Sequence, residues 1–165
     1  MNIEKDPMAV EWQAALKEDE NWQFRLFLKG LDVPKETLDV MVQEISSHVA
    51  STIDCTACGH CCKTIWPVLD AADIRRLARG MGLSEEGFFQ DFLKKDPEVE
   101  VVFKTVPCPF QKDNRCSCYD LRPDVCRSYP HFQLGGFSSR LIKVVQNCSV
   151  CPIVYHVYER LKQEF

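Results

Sequence analysis

A chain of 165 residues with 45% hydrophobic content fits one compact domain with one core, divided at most into two lobes by an internal site. A formal charge of -4 and an isoelectric point near 5.6 argue against general attraction to polyanions, so nucleic acid and anionic membrane are excluded as default partners. The opening Met1-Asn2-Ile3-Glu4-Lys5-Asp6-Pro7 lacks the apolar core of a signal peptide, and no later run approaches a bilayer span, which predicts a cytoplasmic protein.

From the N-terminus, residues 8 to 28 set Trp12, Leu16, Trp22 and Leu26 among charged neighbours. This is the pattern of one long or two short amphipathic helices ending near Gly30, with the aromatics expected in the core. Pro34 suits a first helical turn, and Leu38, Met41, Val42, Ile45 and Val49 recur on one helical face, giving a helix that delivers the chain to Cys55. His48 lies beside that stripe and reads as a surface or core residue, since a lone histidine carries little signal as a ligand. Residues 1–50 are thus expected to pack as helices on the core, residues 51–152 to form a cysteine-rich domain, and residues 153–165 to add its C-terminal helix.

Four thiols then occur within eight residues, Cys55-Thr-Ala-Cys58-Gly-His-Cys61-Cys62. Two residues between cysteines let a tight turn bring both sulfurs to one ion, the spacing used by zinc and iron-sulfur sites. Gly59 stands where such a turn wants positive φ. Adjacent side chains diverge, so Cys61 and Cys62 are not expected to be terminal ligands of one ion, and a second metal or a polynuclear cluster is the simplest use for Cys62. A disulfide framework is the competing reading. Cytosolic thiols are kept reduced, and vicinal cysteines bridge with poor geometry.

Beyond the clamp, Asp70 can cap a helix with Ile74, Leu77, Ala78 and Met81 on its apolar face, stopped by Gly82. Ser84 can cap the next, carrying Phe88, Phe89, Phe92 and Leu93. Arg75, Arg76 and Arg79 give the first of these a basic edge, but Glu85, Glu86 and Asp91 on the second are wrong for a nucleic-acid groove. Val99 to Val106 is rich in β-branched residues and predicts a strand. His131 to Leu134, Gly135-Gly136 and Phe137 to Val145 read as a hairpin with a two-residue turn, with Leu141, Val144 and Val145 needing burial. From Pro152 the chain reads as helix to its end, with Ile153, Val157, Arg160 and Leu161 on one side and Val154 and Tyr158 on another. The expected fold class is α+β: a mainly helical small domain with a short β-hairpin or small antiparallel sheet, its loops organised around a cysteine-ligated metal site.

Between the strand and Pro130, Cys108, Cys116, Cys118 and Cys126 sit among turn-forming residues, with Asp113-Asn114 as a turn and Pro123 and Pro130 limiting regular structure. Four thiolates around a divalent ion leave about two negative charges, which Arg122 and Arg127 can offset beside the cofactor. Cys148-Ser-Val-Cys151-Pro152 repeats the two-residue spacing, so Cys148 or Cys151 can be the distal ligand that completes the first clamp.

Taken together, Cys55-x2-Cys58-Gly-His-Cys61-Cys62, Cys108-Pro-Phe, and Cys116-Ser-x-Tyr119-x2-Arg122-Pro123-x2-Cys126-Arg127-x2-Pro130 resemble the CxxCxxCC zinc- or iron-chelating family, the YkgJ-like cysteine-cluster proteins, over roughly residues 50 to 152. The resemblance implies Cys55, Cys58, Cys61, Cys62, Cys108, Cys116, Cys126 and one C-terminal cysteine, taken as Cys151, as ligands. Cys118 departs from the family pattern, as a small apolar residue or a spare ligand, and Cys148 shares that ambiguity.

Eight thiolates divide into two four-sulfur sites. Zinc in them would be structural, whereas iron-sulfur clusters would make them redox centres. The triple spacing with a remote cysteine before proline tilts the reading slightly to iron-sulfur; thiolate softness suits both metals. The leading function is a cytosolic metal-binding protein. One competing class is a redox enzyme or electron-transfer component, with His60 and His131 as nearby bases that each read first as structural or exposed. Another is a zinc-stabilised adaptor that meets a protein partner through the N-terminal aromatic helices, favoured by an exposed patch containing Trp12 or Trp22.

Overall fold

The computed structural model describes residues 3–98 and 100–165, so Met1, Asn2 and the first residue of the strand expected at Val99 lie outside the described residues. In chain order the helices are α1 (Pro7–Leu16), α2 (Glu18–Gly30), α3 (Lys35–Ala50), α4 (Cys55–Cys58), α5 (Cys61–Thr64), α6 (Ala71–Gly80), α7 (Glu85–Phe92), α8 (Asp124–Ser128), α9 (Leu141–Asn147) and α10 (Pro152–Leu161). The strands are β1 (Leu93–Asp96), β2 (Glu100–Phe103), β3 (Gln111–Lys112) and β4 (Arg115–Cys116). Mainly helical with two small antiparallel sheets, the protein has the α+β class expected. Its chain forms two compact units, a terminal one of residues up to Cys58 with Pro130–Phe165, and a central one, Gly59–Tyr129.

The terminal unit is built from helices. Asp6 starts α1 by accepting the Met8 amide at 3.0 Å, with Pro7 in the first turn where its missing N–H costs nothing. Of the two alternatives expected here, two helices form, broken at Lys17, and α2 carries Glu18, Asp19 and Glu20 at its positive end and Lys29 at its negative end. In α3 the buried positions are Leu38, Val42, Ser46 and Val49, the predicted face with Ser46 turned in. His48 is exposed. At the centre lies α10, buried on both of its predicted sides through Ile153, Val154, Val157, Tyr158 and Leu161. Tyr158 donates its hydroxyl to the Asn21 carbonyl at 3.1 Å and meets Phe24 edge-on, tying α10 to α2.

Two expectations fail in this unit. Of the aromatics expected in the core, Trp12 is 66% exposed and Trp22 is half-buried; the buried apolar positions of these helices are Val10, Ala14 and Leu28. Periodicity marks an apolar face but does not say how much of it the remaining chain can cover. Residues 131–145 are not a hairpin. Phe137–Arg140 is a turn of 3-10 helix running into α9, because the Asp39 carboxylate on α3 accepts the Gly136 and Phe137 amides at 2.7 and 2.8 Å and pins the segment there. Leu141, Val144 and Val145 are spaced for a helix, and burial along one α9 face satisfies them.

The central unit is organised by an aromatic core. Asp70 and Asp73 form a capping box at α6, with the Asp73 amide donating to Asp70 at 2.7 Å, and Ser84 caps α7 through the Gly87 amide at 3.0 Å. These helices press Leu77, Ala78 and Phe88 onto Leu69, Leu93, Phe103 and Phe110. Phe110 is stacked on Phe88 at 6.3 Å and edge-on to Phe103 at 5.5 Å. Burial of each such side chain stabilises by about 1.5–3 kcal/mol, and this cluster is the unit's main apolar support. Leu93 opens β1 instead of closing α7, paired antiparallel with Phe103 in β2; the charged Lys94, Lys95 and Asp96 that follow hid that strand. Asp113 and Asn114, both at positive φ, turn β3 into β4, with Gln111 opposite Cys116.

Candidate metal centre

Among the described residues the ten cysteines are all thiols, and they fall into two sets, one in each unit. The central unit carries Cys61, Cys62, Cys108, Cys116, Cys118 and Cys126. Backbone contacts assemble most of these. Gly59, at φ +60, lies so close to the Asn114 backbone that a Cβ would sit 2.4 Å from its carbonyl oxygen, so only glycine lets the clamp reach the β3–β4 turn. Lys63 reaches the Asn114 side chain from α5, and the Cys108 amide donates to the Cys62 carbonyl at 2.8 Å. Gln111 donates to the Cys108 carbonyl at 2.9 Å, and Ser117 closes the loop on the Phe110 carbonyl at 2.8 Å. Cys116 and Cys118 end with their sulfurs 3.7 Å apart.

Cys126 is held by a different device, which sequence reasoning missed. Asp73 on α6 is buried, bonded to Arg76 and accepts the Asp124 amide at 3.0 Å, at the start of α8. Arg76 in turn donates to the carbonyls of Leu121 and Arg122 at 3.3 and 3.1 Å and to the Asp124 carboxylate at 2.8 Å. One guanidinium thus fastens the residues leading into the Cys126 turn; Asp73 and Arg76, one helical turn apart, were the legible trace. The basic edge of α6 is in part a clasp facing inward.

The central thiols act on one another's charge. Cys62 is held down at about 7 by the Cys61 thiol that donates to it. Cys116 is held down at about 6, first by its hydrogen bond with the Cys118 thiol and further by the Arg122 guanidinium. Cys118, the other partner in that sulfur–sulfur hydrogen bond, is pushed well up, first by the bond and then by burial. Burial pushes Cys108 to about 11 and Cys126 to about 12, and the negative charges of Cys62 and Cys116 add to both shifts. Arg122 stacks 3.6 Å over the Tyr119 ring, and its charge reaches Cys116. Arg127 is bonded to the Arg122 carbonyl at 3.1 Å and to the Asp120 carbonyl, bracing the loop that carries Cys116 and Cys126.

In the terminal unit the set is Cys55, Cys58, Cys148 and Cys151. Asp54 caps the α4 turn by accepting the Thr56 amide at 2.9 Å. Burial pushes Cys151 up to about 12, and Cys55 and Cys58 add to the shift, so the three lie within reach of each other's field. Cys148 donates to the Val144 carbonyl at 3.4 Å, in surroundings where Lys162, Glu159 and Cys151 are felt.

Within each set the donors are soft sulfur, the chemistry that zinc and iron-sulfur clusters accept and that magnesium or calcium does not. As the chain stands, no three Cys, His, Asp or Glu side chains among the described residues converge tightly enough to hold an ion.

A family model described as "Putative zinc- or iron-chelating domain" matches residues 54–152. The chain belongs to the CxxCxxCC family. That span opens just before Cys55 and closes on Pro152, taking in both thiol sets of this CxxCxxCC protein. No curated protein and no solved structure matches the chain. No helix among the described residues is long and apolar enough to cross a membrane.

Proposed function

We propose that this CxxCxxCC protein binds zinc or iron through the thiolates of Cys55, Cys58, Cys61, Cys62, Cys108, Cys116, Cys126 and Cys151, in the cytosol, with iron-sulfur as the leading form. The observation that carries the reading is the central thiol set, where loops with little core of their own are tied by backbone bonds into one charge-coupled group. Zinc would brace these loops; an iron-sulfur cluster would add a one-electron redox couple whose potential burial and Arg122 would tune. Arg127 acts from further out, by fixing the Arg122 carbonyl.

Anaerobic purification followed by visible absorption and analysis for iron, zinc and acid-labile sulfide tests this. Brown protein with matched iron and sulfide supports the cluster, and reversible bleaching by a reductant supports electron transfer. Colourless protein with zinc selects the structural form, and a chain with neither metal defeats the proposal.

A second reading, an interaction surface on α1, is favoured by one observation. Met8, Trp12 and Leu16 recur every four residues on one helical face and are all more than 60% exposed. A second copy is the simplest occupant of so regular an apolar stripe. Equal, monomeric sedimentation of wild type and Trp12→Glu would remove it.

A further inference from the structure

Cys118 has no place in the family pattern, yet the fold gives it a partner. Its sulfur lies 3.7 Å from that of Cys116, and the two share a hydrogen bond. The residue between them is fastened twice, since Ser117 donates both its amide and its hydroxyl to the Phe110 carbonyl, at 2.8 and 3.0 Å. Cys116 is held from one side by its position opposite Gln111 in the β3–β4 ladder. From the other side Cys118 packs against the aromatic core, while its carbonyl accepts the Leu121 amide at 2.9 Å. Backbone ties thus keep the two thiols together, and side-chain rotation is the motion left to them. Both are half-buried, within reach of a small solute.

We propose that Cys116 and Cys118 are a reversible dithiol–disulfide pair, closed by a peroxide as two-electron oxidant. The Cys116 sulfur attacks a peroxide oxygen, so that an S–O bond forms as the O–O bond breaks, and the departing hydroxide takes the thiol proton and leaves as water. Cys118 then displaces the hydroxyl from the Cys116 sulfenic acid. The S–S bond forms as the S–O bond breaks, and the hydroxyl leaves with the Cys118 proton as a second water. Two thiols lose two electrons and two protons, and one hydrogen peroxide is reduced to two waters. Cys116 attacks first because Cys118 is the one set against the apolar core. Closure brings the sulfurs from 3.7 Å to about 2.05 Å. The ring it makes holds Ser117 alone, so the bond constrains the unfolded chain little and stays open to reduction, which suits a switch better than a staple. The pair does not rest on the chelation reading, but where Cys116 holds a metal its oxidation withdraws that ligand.

The test uses the full chain, purified anaerobically, freed of metal by a chelator, and given an equimolar amount of hydrogen peroxide before alkylation and peptide mapping by mass spectrometry. We expect the first product to carry a single disulfide joining Cys116 to Cys118, and dithiothreitol to restore both thiols. Cys118→Ser should lose that disulfide and leave a Cys116 sulfenic acid that dimedone captures. The proposal is overturned if the first disulfide joins other cysteines, such as Cys61 with Cys62, or if Cys116 and Cys118 are both still alkylated once other thiols are spent. Should Cys118→Ser fail to fold, the wild-type map decides by itself. The same treatment of the chain as isolated, with metal measured before and after, keeps the two readings apart. A chain that held no metal sinks chelation while the Cys116–Cys118 bond still forms. A metal-bearing chain should release metal as the bond closes; a bond formed with all metal retained supports the pair and takes Cys116 out of the ligands.

Discussion

The two units solve stability differently. The terminal unit is helix packed on helix around α10, with six of its residues from Ile153 to Leu161 buried and Cys148 and Cys151 buried with them. The central unit has one aromatic cluster at its α6–α7 end, and its thiol-bearing half is a run of two-residue strands and single turns. Apolar burial is therefore enough to account for the first, whereas the second has loops that ten or so ordered residues of backbone entropy would release without a further tie. The lesson is that an apolar core and short, turn-rich loops are segregated into different parts of one short chain.

Metal removal should break the symmetry of that comparison most strongly, because a structural thiolate site contributes on the order of 10 kcal/mol. Chelation is expected to abolish hydrogen-exchange protection across residues 104–129 while α3 and α10 stay protected. Equal loss in both units would mean that the terminal core is not self-sufficient. Next in size is Phe88→Ala, which removes the ring stacked on Phe110 from a fully buried site and should lower stability by about 3–5 kcal/mol in a denaturant titration.

The clasp offers a sharper probe. Arg76→Ala leaves Asp73 buried without its partner and should cost about 2–4 kcal/mol, discounted because Arg76 is partly exposed. It should also lower the metal content of the central set while leaving Cys151 protected from alkylation. Arg75→Ala, on the exposed side of the same helix, should change stability by less than about 0.5 kcal/mol, and a large effect there would break the assignment. The smallest effect belongs to the terminal unit. Burial lowers the pKa of His156, whose Nε2 meets the Glu4 carbonyl at 2.7 Å, with Arg160 lowering it further and Glu159 and Glu4 opposing. As pH falls below the ordinary 6.5, the unfolded chain takes up a proton that the folded one resists, so stability drops and then levels off once the folded pKa is passed. His156→Gln should flatten that acid limb in thermal melts taken at successive pH values.

Much of this was open to a reader of the sequence. Capping residues act within one turn, so Asp70 and Ser84 announced α6 and α7, and Pro152 announced α10. The Asp113-Asn114 turn and the positive φ of Gly59 were legible for the same reason. Gly135-Gly136 misled, because a glycine pair permits a hairpin without requiring one, and the Asp39 carboxylate from far along the chain chose otherwise. Trp12 misled because amphipathic spacing is local while coverage by neighbours is not.

Cysteine spacing by itself determined that thiols would gather in short turns and that soft metals are their natural partners, since those properties belong to side-chain chemistry and to a few residues of backbone. Only the tertiary structure decided which thiols share a neighbourhood. It set Cys62 with Cys108 through a main-chain hydrogen bond and fixed the turn leading to Cys126 through Arg76. Those two choices depend on contacts between residues 46 positions apart, and no local spacing rule carries such long-range pairing.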